Sequence, residues 1–268
     1  MAKKQNRGKS YSRKRGKTNK NRLRFLVVGG IVLAIILVIV VNGIFRTMRT
    51  EIFSSFNGNV FSDKYFVRGV DVSHHNTAIN WNILREEDIS FAYLKSTEGA
   101  THTDREYKRN YKLAKAAGLK VGTYHFFTFG IDGRQQAEHF IRSSKVYSGD
   151  IRPAIDVEHS PVNHPVSDKR KRLAIIRELR KLEAELFDHY GVRAVIYTNK
   201  ECYSLYIKEN FSDNPLWLCD LHDEPNVASD KWVIWQFSHT GNIPGVVGDI
   251  DLNFYRYSFS DFKNLLMP

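Results

Sequence analysis

The sequence predicts an α/β fold, an eight-stranded β/α barrel with fewer than eight helices, set behind an N-terminal transmembrane helix. Three observations predict it. A charge-free apolar run follows a basic N-terminal tail. Short β-rich apolar runs then alternate with helical stretches, the pattern of parallel β/α units. Acidic residues recur where the apolar runs end, and the C-terminal ends of barrel strands are where such folds carry their chemistry.

The chain opens with residues 1–24, which hold eleven Lys or Arg and no acid. Removing them from the 40 Lys and Arg of the whole chain leaves 29, equal to its 29 Asp and Glu. The formal charge of +11 therefore belongs to one tail, and the rest of the protein is balanced. That distribution argues against a nucleic-acid-binding domain. From Phe25 to Val41 no residue is charged, and Asn42-Gly43-Ile44-Phe45 extends the run to 25–45. About twenty apolar residues span a bilayer core. The segment has no polar face and no convincing Ala-x-Ala-like cleavage site, so it reads as an uncleaved signal anchor, with small residues such as Gly43 leaving cleavage open. The positive-inside rule keeps 1–24 cytoplasmic and carries the remainder across the membrane as a single-pass cell-membrane protein. Residues 46–64 form a polar linker, and 65–268 suit one domain with a sizeable core.

Within that domain the predicted strands are 67–72, 91–96, 120–126, 153–158, 194–198, 216–220, 233–238 and 250–255. Helices are predicted over 106–117, 134–143 and 169–190. Gly118 and Gly191 follow two of them directly, as helix stops do. The last three strands follow one another with little helical sequence between them. Cys202 and Cys219 are the only cysteines. An oxidising compartment allows them to pair, but two cysteines are no disulfide framework, and Cys219 in the apolar run Leu216-Trp-Leu-Cys219 equally suits a buried free thiol.

The sharpest chemical signal is Asp156-Val157-Glu158, closing the run Ile151-Arg-Pro-Ala-Ile155. Alternation along a strand points both acids to one side, with Cα atoms ~6.5 Å apart at ~3.3 Å per residue. Paired acids can be driven to different pKa values, one protonated and one charged, which is what glycoside hydrolysis requires. Gly69-Val-Asp71-Val-Ser73 and Asp249-Ile-Asp251-Leu-Asn253 bring further acids to strand ends, and Asp220 ends another. Asp249 and Asp251 lie on one face, and the Asp-Leu-Asn triplet favours Asp251.

These residues fall into an ordered series: Gly69-Val-Asp-Val-Ser-His-His75, Ile79-Asn-Trp81, Phe91-Ala-Tyr-Leu-Lys-Ser-Thr-Glu-Gly99, Ala117-Gly-Leu119, Gly122-Thr-Tyr-His-Phe126, Pro153-Ala-Ile-Asp-Val-Glu158, Ile196-Tyr-Thr198, Trp235-Gln236 and Asp251-Leu-Asn253. In this order they resemble the glycoside hydrolase family 25 lysozymes, the Chalaropsis-type N-acetylmuramidases, over about 67–256. The resemblance implies a flattened TIM-like barrel of eight strands and about five helices. It implies cleavage of the β-1,4 bond between N-acetylmuramic acid and N-acetylglucosamine in peptidoglycan, without cofactor or metal. Glu158 then matches the general acid, Asp156 its carboxylate neighbour, and Asp71 and Asp251 the two further acids. Lys95, Tyr124, Tyr197, Trp217 and Gln236 are candidates for substrate contacts, since aromatic faces and a few polar groups suit a glycan. Two departures stand out: Asn76-Thr77 where many members carry Gln-Gly, and Ser96 where Ala is commoner.

Two other functions compete. Asp71, His74, His75 and His159 offer donor atoms for a metal-dependent glycan deacetylase. A non-catalytic peptidoglycan-binding anchor would need the aromatic groups but not four acids.

Overall fold

The computed structural model describes residues 17–55, 64–76, 78–227 and 232–268. The chain divides into two units, 1–59 and 60–268. The first contains helix α1, Lys17–Ser55. Its stretch Phe25–Ile44 is long and apolar enough to cross a membrane, with no side chain buried. The helix continues through the first ten residues of the expected linker; 56–63 and most of the basic tail lie outside the described residues.

The second unit is built on strands β1 (Val67–Val72), β2 (Ile89–Glu98), β3 (His102–Thr103), β4 (Lys120–Phe126), β5 (Ala154–Val157), β6 (Val195–Asn199), β7 (Leu216–Cys219), β8 (Trp232–Gly241) and β9 (Ile250–Tyr255). Eight of them close a barrel in the order β1-β9-β8-β7-β6-β5-β4-β2, and β1 pairs back to β2. β3 is a two-residue ribbon outside the ring, paired with the end of β2. All eight predicted strands are present. The parallel β/α rule holds from β1 round to β8 and then breaks. β9 runs antiparallel to both β8 and β1. The physical reason is connection length: a parallel neighbour needs a crossover of a dozen residues or more, and the segment between β8 and β9 is too short for one.

Helices α2 (Trp81–Glu86), α3 (Tyr107–Ala116), α4 (Gly133–Ser143) and α5 (Lys169–Tyr190) lie on the outside, followed by a short helical turn α6 (Lys200–Cys202) that runs into a π-helical turn, Tyr203–Ile207. The three predicted helices match α3, α4 and α5 to within a residue. α2 was not among them, because six residues give little periodicity to read. Asn80 caps it, its side chain accepting from the Ile83 N–H. Asp132 caps α4 and Asp168 caps α5 in the same way. α5 ends at Gly191, whose φ of 71° is the left-handed stop foreseen for it.

Strands buried on both faces explain the continuous apolar runs. In β5, Ala154 faces the barrel interior with Val195, Trp217 and Ile234. Ile155 and Val157 face outward to the layer beneath α4 and α5, with Phe140, Leu179 and Leu182. Asp156 therefore points inward by alternation. The interior is plugged at the strand N-terminal end by Phe262 and Leu265 from the C-terminal segment, which also bridges Ile151 through Leu266. The opposite end, where β1, β2 and β4–β8 finish, is left for the site. Both cysteines are buried and free: Cys202 lies in the outer layer and Cys219 in the barrel interior.

Candidate active site

A cavity of ≈ 220 Å³ opens at the C-terminal end of the strands, lined by Asp71, Tyr124, Asp156, Glu158, Tyr197, Trp217, Gln236, His239 and Asp251. Each of seven strands contributes. Asp71 stands on β1 and Asp251 directly opposite it in the antiparallel β9 register, so their side chains start about 4.5–5.5 Å apart. Asp156 ends β5, and Glu158 follows one residue beyond the strand. Asp249, the competitor for Asp251, precedes β9 and is exposed.

The floor is a hydrogen-bonded chain. Trp217 Nε1 donates to Asn253 Oδ1 at 2.7 Å, and Asn253 Nδ2 donates to Asp71 Oδ2 at 2.7 Å. From the other side Tyr197 Oη donates to Gln236 Oε1 at 2.7 Å, and Gln236 Nε2 donates to the same Asp71 oxygen at 2.8 Å. Each amide thus has one orientation fixed by a donor behind it. Trp217 stacks on Tyr93 with ring centroids 4.7 Å apart and meets Tyr197 edge-on at 4.8 Å. With only 2% of its surface exposed, Trp217 is a floor rather than an open platform for a sugar.

Burial dominates the electrostatics. It pushes the Asp71 carboxyl well up from the usual range, and the neighbouring Asp251 adds to the effect against the two amide donors. It raises Asp156 in the same way, with Glu158 as the next contributor and Lys95 opposing. One Asp156 oxygen is buried with no hydrogen-bond partner among the described residues, which further penalises the charged form. Glu158 is half-buried and also raised, first by burial and then by Asp251, with His239 and Lys95 pulling it back. Desolvation thus leads in all three, ahead of mutual repulsion between the acids.

Eight of the nine sequence-predicted residues line this one cavity. Lys95 does not. Its Nζ pairs with Glu98 at 2.7 Å and sits 4.7 Å over the Phe126 ring, so it reaches the acids through its field alone. Asp220, also at a strand end, is a loop brace: its carboxylate accepts from the backbone of His222 and Asp223 and pairs with Lys200. His239 is the residue that sequence reading missed. Its Nδ1 lies 3.1 Å from Asp251 Oδ1 and its Nε2 3.6 Å from Cys219 Sγ. The contact with Asp251 is the main cause of a pKa pushed up to about 10, with Cys219 adding to it. The bulges between Gln236 and Gly241 hid it, because they break the alternation that places side chains along β8.

The four metal-ligand candidates do not converge. His74 Nδ1 pairs with Asp104 at 2.8 Å, and the His75 ring lies tilted against His74 with centroids 4.0 Å apart. His159 meets Tyr206 Oη at 3.2 Å, while Asp71 is held by its two amides. No group of three or more His, Cys, Asp or Glu among the described residues is placed to hold a metal ion. The two departures in the motif series have structural uses. Asn76 accepts from Ser73 N–H and donates to Asp249 C=O, tying the β1 loop to the β8–β9 loop. Ser96 donates to Tyr124 C=O and accepts from Ser144. Thr77 lies outside the described residues.

A family profile described as "Glycosyl hydrolases family 25" matches residues 70–246, well over half of the chain. The chain belongs to glycosyl hydrolases family 25. This makes it a glycosidase, on a fold that agrees with solved family members. A family 25 glycosyl hydrolase from Bacillus anthracis superposes with a TM-score of 0.69 at 32% identity, covering 76% of this chain and 95% of that one. Among curated relatives, the autolytic lysozyme of Clostridium acetobutylicum is 31% identical over 188 residues, 70% of this chain but only 55% of that protein. Lysozyme M1 of Streptomyces globisporus is 31% identical over 211 residues, 74% of this chain and 70% of its own. The family 25 match takes in Asp71, Asp156, Glu158 and His239 and stops short of Asp251 and Asn253, which the antiparallel β9 returns to the same cavity.

Proposed function

We propose that the domain hydrolyses peptidoglycan at the β-1,4 bond between N-acetylmuramic acid and N-acetylglucosamine, with Glu158 as general acid. The observation that carries this reading is the convergence of four carboxyl groups on one cavity, with the half-buried Glu158 raised from its ordinary value by burial. Lysozymes from Clostridium and Streptomyces among the relatives supply the substrate class.

In this account Glu158, whose burial favours the protonated form, gives its proton to the leaving glycosidic oxygen. Positive charge then develops on the sugar, and a fixed carboxylate stabilises it in a water-poor cavity where a charge acts at lower dielectric than in solution. Asp251 fits that part. Asp156 is assigned the orientation of the acetamido group beside the scissile bond. Asp71, clamped by Gln236 and Asn253, holds the floor together. Water completes the cleavage as Glu158, now ionised, takes its proton.

The stretch Phe25–Ile44 is proposed to hold the enzyme in the cell membrane, with residues 1–24 cytoplasmic and the catalytic domain on the wall side. The test of the catalytic assignment is chromatography of fragments released from purified peptidoglycan. Glu158→Gln should lower release by ~10²–10⁴-fold, the usual worth of a positioned acid. Undiminished release by that variant would remove Glu158 from the role.

A further inference from the structure

We infer that His239 is a positioning residue of this site: it places the proton shared by Asp71 and Asp251 on Asp71 and keeps Asp251 as the anion. The inference deepens the proposed glycosidase mechanism and rests on it. Asp71 and Asp251 face each other across the β1–β9 ladder. Two carboxyl groups at that spacing do not ionise together without a large penalty, so their surroundings decide which one is charged.

The surroundings differ. Asp71 is 7% exposed and has two neutral amide donors on one oxygen. Asp251 keeps a third of its side-chain surface and meets a ring nitrogen of His239 at 3.1 Å. Among the described residues, His239 is the only basic side chain lining the cavity. An imidazolium donates from both nitrogens, here to Asp251 Oδ1 and to Cys219 Sγ at 3.6 Å. Burial penalises the charged form of Asp71 by more than its two amide donors offset, whereas Asp251 keeps water on a third of its side chain and has His239 as an ion-pair partner.

The acids around His239 favour its charged form. Asp251 faces it from β9, Glu158 from the end of β5 and Cys219 from β7. Asp71 and Asp156 lie deeper on β1 and β5, Tyr124 and Tyr197 form the floor, and Lys95 on β2 is occupied by Glu98. The positive charge also draws Glu158 down from the value that burial alone would set. Losing it should therefore raise both limbs of the pH–rate profile. The facing Asp71–Asp251 pair would give up its proton only at higher pH, and Glu158 would keep its proton to higher pH.

The test uses the full chain in detergent, as wild type, His239→Gln and His239→Lys, with kcat followed from pH 4 to 9. His239→Gln should move the whole profile up by about one pH unit, a tenfold loss on the acid limb. His239→Lys, which restores the cation, should return it toward wild type. A drop in kcat without displacement, or the same displacement in both variants, would overturn the inference. An independent readout is the imidazole nitrogen resonances of His239 in wild type at pH 8. Two protonated nitrogens are expected, and a neutral tautomer would overturn it. Absence of any cleavage by wild type would reject the glycosidase reading alone, because the nitrogen resonances still judge His239.

Discussion

At the scale of single residues, the site is a place where folding and chemistry pull apart. Asp156 is buried, and its folded pKa lies above the unfolded value of 3.8. The folded state therefore binds the proton more tightly, and stability falls as pH rises from 3.8 through the raised folded value. Asp156→Asn removes that loss. The variant should melt higher than wild type at pH 7 by ~2–4 °C for each kcal/mol recovered in a domain of this size, and show no gain below pH 3.8. Equal melting temperatures at pH 7 would contradict the burial of a titrating carboxyl there. His125 bounds the acid side. Buried between Thr97 and Gln136, it is held down to about 3. The unfolded chain takes up a proton near 6.5 that the folded state refuses, so stability also falls as pH drops from 6.5 toward 3. Asp71, Asp156 and Glu158 stand out in the sequence because they fall where apolar runs end; Asp251, at the start of β9, stands out only through its Asp-Leu-Asn triplet. Their electrostatic order was not legible, since it depends on burial, on two amides and on a histidine that no motif announced.

At the scale of elements, two glycines set how closely parts can approach. A Cβ on Gly133 at the start of α4 would lie 1.9 Å from the Glu178 carbonyl oxygen of α5, and backbone cannot swing aside as a side chain can. Gly133→Ala should therefore separate the two helices and destabilise the domain by about 1–3 kcal/mol, read from urea unfolding. A Cβ on Gly122 would meet the Tyr93 ring at 2.3 Å inside the barrel, against the ring that stacks on Trp217. Gly122→Val should lower both stability and activity, because it disturbs the floor of the cavity. The strands were legible through their apolar runs, and α3 to α5 through helical stretches with stop signals. The direction of β9 was not, for a strand reads the same in either sense. That direction matters most, because it sets Asp251 opposite Asp71.

At the scale of the whole molecule, the chain separates a basic, apolar N-terminal unit from a charge-balanced barrel. If Phe25–Ile44 anchors the enzyme, antigen from the full chain should sediment with membranes and resist extraction by salt and carbonate. A version lacking residues 1–45 should appear in the soluble fraction. Full-length protein released by carbonate would argue against a spanning helix. A charge count and a run length are all that the sequence needs to propose this order.

The central claim is that this barrel cuts a glycan beside muramic acid with Glu158 as the acid. The most direct measurement is borohydride reduction of purified peptidoglycan after digestion by the enzyme, followed by mass analysis of the new ends. The account predicts reduced muramic acid ends from wild type and none from Glu158→Gln. Reduced glucosamine ends, or muramic acid ends that persist in Glu158→Gln, would contradict it.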